Sequence, residues 1–527
     1  MRQVKIYDTT LRDGAQTFGV SFSVEDKLAI IEELDRFGVE YIEAGYPTSN
    51  PKDMEIFEKL QGRKLEHAKI VAFGSTRRAN VLASEDKGLQ KLIEADTEYI
   101  AIYGKSWDFH VTDTIHTSLE ENLNMIEESI KLLVDENRKV IFDAEHFFDG
   151  YSNNPQYAMK TIEVALKAGA YSICLCDTNG GMLPNQINDI VKRVKEVIGD
   201  KIELGIHCHN DGGLAVANSI QAVLAGCNQI QGTYTGIGER CGNANLSTII
   251  PTLEIKMGYH CLNDKEQLKN LVSIYHYISE ISNVTIDSKM PYVGDTAFVH
   301  KGGAHIDGIM KNPKSFEHIN PSVVGNSRKA VVSEQAGKSA ILELIHKIDA
   351  SIAKEDSRVI NILDRLKLLE YEGYQFESAE ASFLLVISEE LGIYKEPFEL
   401  EDVKVTISTP FDEEDSVTAI IKLRVEGKRD LTVAEGVGPV NALDEALRKA
   451  LEKFYPSLKK MNLIDYKVRV LDTKDGTAKP VRVLIKSTDG KTTWDTIGVS
   501  RNIIEASWKA LVDSIEYKLL KDKGIIQ

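Results

Sequence analysis

The run IELGIHCHND, Ile202–Asp211, decides how the rest of the chain reads. Its first half is an apolar stretch with strand character, and its end carries His207 and His209. A strand repeats its facing every two residues, so both imidazoles point to one side and Cys208 to the other. Two neutral imidazoles on one face form a metal-ligand pair in need of oxygen partners. Taken alone, two surface histidines at a strand end explain the pair as well. The other strands of the chain weigh against that.

Working outward, seven more short apolar runs share this form: VKIYDTT (4–10), VEYIEAG (39–45), KIVAFGS (69–75), EYIAIYG (98–104), KVIFDAE (139–145), YSICLCD (171–177) and NQIQGTY (228–234). Helical patterns separate them, such as VEDKLAIIEELDRFG (24–38), where apolar residues fall at helical spacing and Gly38 marks the stop. Eight strand–helix units in about 250 residues predict a (β/α)8 barrel. An open doubly wound sheet is the alternative. Polar residues then sit where a barrel keeps its chemistry, on or just after the strands: Arg12 and Asp13, Glu43, Glu145 and His146, Asp177 with Thr178 and Asn179, His207 and His209, and Glu239, Arg240 and Asn243.

The chain has 527 residues, too many for one core. Net charge is -17 with no basic cluster, which argues against nucleic acid and anionic membranes as partners. No stretch approaches the roughly 20 apolar residues of a membrane span, and no basic-then-apolar leader opens the sequence. Six cysteines make no disulfide framework, and Cys174 and Cys176 read as buried thiols; the cytoplasm is the expected compartment. Residues 1–275 are the expected catalytic barrel. Residues 276–398 form a helical linker region with the glycine-rich insert VGDTAFVHKGGAHIDGIMKNPKSF. Residues 399–527 are an α+β domain with turns such as DTKDGT and STDGKT. An internal repeat in it aligns at an offset of 60, pairing Gly438 with Gly498, Glu445 with Glu505 and Leu451 with Leu511. Val440, Leu443, Leu447, Ala450, Leu451 and Phe454 give the first repeat helix one apolar face. A repeat without a catalytic constellation predicts a binding, regulatory or dimerising module.

Asp13, His207, His209 and Asn243 offer two nitrogens and two oxygens. With no thiolate, and with room for water and substrate oxygens, six-coordinate Mg²⁺ or Mn²⁺ fits, and Zn²⁺ stays open. Arg12 places a fixed cation beside the metal, where it can hold a 2-oxo acid or a developing enolate oxygen; a local ion pair with Asp13 is the plainer alternative. Glu145 and Thr178 can orient a substrate carboxylate or relay a proton. The glycines of TGIGERCGNAN (235–245) read as tight turns that place Asn243, with Glu239 and Arg240 paired inside the turn. His305, flanked by glycines, reads equally as a lid-borne acid or base and as a plain loop histidine; His300 is a weaker rival.

DTTLRDGAQ, EHFFDGY, CDTNGG, HCHND and GERCGNANL, in this order, resemble the metal-dependent TIM-barrel acyltransferases and lyases that include the 2-isopropylmalate, homocitrate and citramalate synthases and hydroxymethylglutaryl-CoA lyase. FGSTRR, GKSWDFHVT and DAEHFFDGY are most similar to the citramalate-forming branch, and EGVGPVNALDEAL and GVSRNIIEASWKAL carry the likeness to the C-terminus. The resemblance implies a Claisen condensation of acetyl-CoA with pyruvate for isoleucine synthesis. It implies Asp13, His207, His209 and Asn243 as metal ligands, Arg12, Glu145 and His305 as catalytic residues, and Arg12 and Thr178 as substrate contacts. It further implies a homodimer whose C-terminal domain senses isoleucine, or leucine. Rival readings are the same chemistry on a larger 2-oxo acid, a lyase on the same barrel, and a metal-binding sensor without catalysis. Two places depart from the family: Phe316 stands where relatives often carry tyrosine, and EAGYPTSN lacks a tryptophan expected near Tyr46.

Overall fold

All eight apolar runs form parallel strands: β1 (Lys5–Asp8), β2 (Tyr41–Gly45), β3 (Lys69–Ser75), β4 (Tyr99–Lys105), β5 (Lys139–Glu145), β6 (Ser172–Asp177), β7 (Glu203–Cys208) and β8 (Gln229–Gly232). They pair in sequence order, and β8 returns to β1 with Lys5 opposite Gln229, so the sheet is a closed barrel rather than an open one. The computed structural model describes residues 2–199, 202–285, 287–330, 338–376, 379–408, 417–471, 480–490 and 492–526.

Local chemistry starts and stops the helices as the sequence predicts. Helix Val24–Phe37 opens with a capping box between Ser23 and Asp26 and ends at Gly38, whose φ of 91° is cheap only for glycine. Outward-facing strand residues, Cys208 among them, pack with the helices in one apolar core. Inside, the barrel is filled by aromatics: Tyr7, Tyr41, Phe73 and Tyr99 join Val71, Ala101 and Ile141. Lys5 and Lys139 donate to the hydroxyls of Tyr41 and Tyr99 at 3.2 and 3.1 Å. The lower barrel is therefore a plug, and the polar rim lies at the other end of the strands.

The chain divides into two compact units: residues 1–298 with 319–328, and residues 299–318 with 329–527. The second contains two short strands, β9 (Val299–His300) and β10 (Lys329–Ala330), and two antiparallel sheets. These are β11 (Glu399–Ile407), β12 (Val417–Val425) and β13 (Lys428–Gly436), then β14 (Asn462–Val470), β15 (Val481–Thr488) and β16 (Thr493–Ser500). Helix Pro439–Leu451 follows the first sheet and Ile503–Asp522 the second. Its core also takes Ile341, Ile345, Ile362, Phe383 and Leu384, so linker helices and both sheets share one interior. The expected boundary at 398 falls within this core. The expected turn DTKDGT lies outside the described residues.

The repeat is real, but its register needs correction. Val417 faces Gly436 and Val481 faces Ser500, while Gly438 and Asn502 cap the two helices. The equivalence therefore runs at a spacing of 64 residues, not 60. Four residues are about one helical turn, so the shifted match still superposes apolar helix faces. Gly438 and Gly498 are then unrelated: a β-carbon on Gly438 meets nothing, whereas one on Gly498 would lie 2.0 Å from the Ala506 carbonyl oxygen. Gly498→Ser is expected to lower stability by about 1–3 kcal/mol through this clash. Gly438→Ser should be neutral or stabilising, since serine is a favoured helix cap. Urea unfolding of the two variants checks this, and equal losses would refute the register.

Candidate active site

Period-two alternation brings the rim together. Asp143 and Glu145 on β5, Cys176 on β6 and His207 on β7 point inward, and Arg12 and Asp13 enter from the turn after β1. With Tyr46, Phe73, Tyr103, Thr178 and His209 they line a cavity of about 240 Å³. Irregular pairing between Glu43 and Gly45 of β2 marks the same end of the barrel, where bulges re-aim side chains.

The charged floor is built around Arg12. Its Nε lies 2.8 Å from Glu43 Oε2 and its Nη1 3.2 Å from Asp13 Oδ2, and its guanidinium sits 3.9 Å from the centre of the Phe73 ring. Glu43 is fully buried and also accepts from the Tyr7 hydroxyl at 3.2 Å. The local Arg12–Asp13 ion pair expected from sequence is present, but Glu43, 31 residues away, is the nearer partner. A guanidinium has five N–H donors. Three are engaged here, which leaves one on each Nη for a ligand.

Three of the four expected ligands converge. His207 Nε2 and His209 Nε2 are 3.3 Å apart, and they lie 3.4 and 3.9 Å from Asp13 Oδ2. All three residues are buried. Burial alone would raise the Asp13 carboxyl, yet Arg12 and the two imidazoles hold it far below the ordinary carboxylate range. Burial, then His207, pushes the His209 imidazole down to about 3. An ionised carboxylate beside a neutral imidazole is the donor chemistry a divalent cation requires. Asn243 is positioned by its backbone, which bridges His209, and Gly238 leaves room for its amide. Asn243 Oδ1 and Asp13 Oδ1 are buried with no hydrogen-bond partner among the described residues. The residues present therefore fit a divalent metal.

Glu145 pairs with Lys105, and Thr178 Oγ1 accepts the His146 N–H at 2.9 Å. Asp177 turns away from the cavity to accept from Gly181 and Met182, so it builds the loop that presents Thr178. The expected Glu239–Arg240 pair is not what Arg240 makes. Its Nε and Nη2 grip both oxygens of Asp211 at 2.8 Å, and Nη2 also donates to the Thr178 carbonyl. A glycine-rich turn frees Arg240 to reach the neighbouring loop, a contact no local spacing reveals.

His305 belongs to the second unit, on helix Gly303–Lys311. Phe316 stacks on its imidazole with centroids 4.2 Å apart and planes at 22°; Gly308 makes room for that ring. His300 instead lies near Glu317, at 3.5 Å.

Sequence reasoning missed Asp143, which burial raises to about 7 and Gln231 contacts at 3.0 Å. Its signal was present: Asp143 and Glu145 are two apart in KVIFDAE and must share a face.

Three family models cover the chain. Residues 3–278 match HMGL-like, 292–373 the homocitrate synthase post-HMGL domain-like model, and 377–519 the LeuA allosteric (dimerisation) domain. The chain is 52% identical over 522 residues to an (R)-citramalate synthase of Aquifex aeolicus, covering 99% of this chain and 98% of that one. Identity to an (R)-citramalate synthase of Geobacter sulfurreducens is 48% over 526 residues, 100% and 99% of the two chains. A probable 2-isopropylmalate synthase of Methanopyrus kandleri is 30% identical over 517 residues, 97% and 98% of the two. A catalytic barrel with this rim, followed in order by both accessory domains, belongs to the HMGL-like family, and within it this chain belongs to the (R)-citramalate synthases.

Proposed function

We propose that this chain condenses acetyl-CoA with pyruvate and water to give (R)-citramalate and CoA, as the committed step of an isoleucine route. The observation that carries the reading is the convergence of Asp13, His207 and His209 beside Arg12 in one small cavity. A base removes a methyl proton from the thioester. The resulting carbanion attacks the ketone carbon of the 2-oxo acid, and the new alkoxide takes a proton. Water then cleaves the thioester and CoA leaves as the thiol.

Asp13, His207, His209 and Asn243 are the proposed ligands of a divalent ion, Mg²⁺ or Mn²⁺ before Zn²⁺; when bound it supplies Lewis-acid polarisation of a carbonyl oxygen. Arg12 offers its two free N–H groups, held by Glu43, to the oxygen on which charge develops. The Thr178 hydroxyl binds the 2-oxo acid's carboxylate. Glu145, steadied by Lys105, and His305 are the proposed proton carriers. Tyr46, Phe73 and Tyr103 wall the cavity with aromatic rings in edge-on and stacked contact, which favours a small 2-oxo acid over a branched one.

The C-terminal repeat is proposed to bind isoleucine and to join two copies of the chain as a homodimer in the cytoplasm. Residues 276–398 would link effector to chemistry, since His305 lies there. Among the described residues no helix is long and apolar enough to cross a membrane.

Two outcomes test this reading. In a thiol-release assay, pyruvate should support CoA formation well above 2-oxoisovalerate and 2-oxoglutarate. Leakage to 2-oxobutyrate is expected, because one methylene is worth only about 10–200-fold. A preference for 2-oxoisovalerate would move the chain to 2-isopropylmalate synthesis. In the same assay isoleucine should lower turnover, with leucine weaker; indifference to every branched-chain amino acid would remove the regulatory reading.

A further inference from the structure

Apart from Lys105 and Glu145, the runs GKSWDFH and EHFFDGY have no part in the chemistry above, yet they pack together beside it. His146 follows Glu145 with φ 55° and ψ 31°, the left-handed region that a β-carbon disfavours. Three contacts hold it there. Its carbonyl accepts the Gly150 N–H at 2.9 Å, its ring Nδ1 lies 3.0 Å from Asp149 Oδ2, and its ring packs 4.1 Å from that of His110. Trp107 in turn stacks on His110 at 5.0 Å with planes at 20°. Gly150 permits this crowding, since a β-carbon there would sit 2.2 Å from the Ser106 carbonyl oxygen.

The strained turn has one consequence inside the cavity. It aims the His146 N–H at Thr178 Oγ1, 2.9 Å away. A hydroxyl has one proton and two lone pairs. This bond occupies a lone pair, so the Thr178 proton stays available to an acceptor. The Thr178 carbonyl is fixed as well, by Arg240 Nη2 at 2.7 Å. Thr178 lines the cavity, and a carboxylate there is an acceptor that needs such a donor.

We propose that His146 is a positioning residue: clamped by Asp149, His110 and Trp107, it fixes the Thr178 hydroxyl as a donor to the 2-oxo acid's carboxylate. The proposal rests on the reading of Thr178 as a substrate contact.

A double-mutant cycle tests it, run with the 2-oxo acid that the wild type turns over fastest. His146→Ala keeps the N–H but disfavours the left-handed turn. His146→Asn tolerates that turn and offers Asp149 an amide. His146→Ala should raise KM for the 2-oxo acid roughly tenfold, the worth of about one hydrogen bond. Its kcat and its KM for acetyl-CoA should stay near wild type, and His146→Asn should restore most of the loss. In a Thr178→Val background, His146→Ala should change KM by less than about twofold, since coupled residues lose their effect together. Equal penalties in both backgrounds, or equal damage to both KM values, would overturn the proposal. If His146→Ala folds poorly, His146→Gly carries the cycle: it keeps turn and N–H but loses the ring, so a KM near wild type would overturn the clamp. A wild type that releases CoA with no 2-oxo acid would overturn the functional reading, and this proposal with it.

Discussion

A buried guanidinium holds the upper barrel together. Arg12 lies between Glu43 and Asp13 and rests on the Phe73 ring. Without it, the buried carboxylates of Glu43 and Asp13 would be left as like charges with no cation between them. Removing one partner from such a buried pair typically costs about 3–5 kcal/mol, because the other charge is left uncompensated. The same cation keeps Asp13 ionised, and burial keeps His209 neutral. The donor set that fits a metal is thus prepared by electrostatics, and one N–H on each Arg12 Nη makes no bond among the described residues.

The barrel and its rim were legible because both follow from period two. Alternation within IELGIHCH and KVIFDAE assigns each side chain to a face, and closure of eight such strands carries the inward faces to one end. His207 and Glu145 follow from that alternation, whereas Arg12 and Asp13 lie on the turn after β1 and are read from their place at the strand ends. Long-range pairing of charges did not. Arg12 was read against its chain neighbour Asp13, while Glu43 comes from another strand. Arg240 was read against Glu239, but its partner Asp211 lies on a different loop. Alternation says which way a side chain points, not which distant group it meets.

Helical periodicity misled the reading of the C-terminal repeat for a similar reason. Small and apolar residues recur about every fourth position on a buried helix face, so a slip of four residues preserves the match. Only the strand register, with Val417 against Gly436 and Val481 against Ser500, distinguishes the two alignments. The backbone strain at His146 was equally invisible, since nothing in EHFFDGY marks a histidine as left-handed; its role emerges once its N–H is seen at Thr178.

The central claim is that Asp13, His207 and His209, prepared by Arg12, form a divalent-metal site. Calorimetric titration of the chelator-treated protein with Mn²⁺ tests it most directly. The wild type should bind one ion per chain, displaceable by Mg²⁺, and Asp13→Ala and His207→Ala should each abolish that binding while remaining folded. Wild-type affinity in either variant would contradict the account.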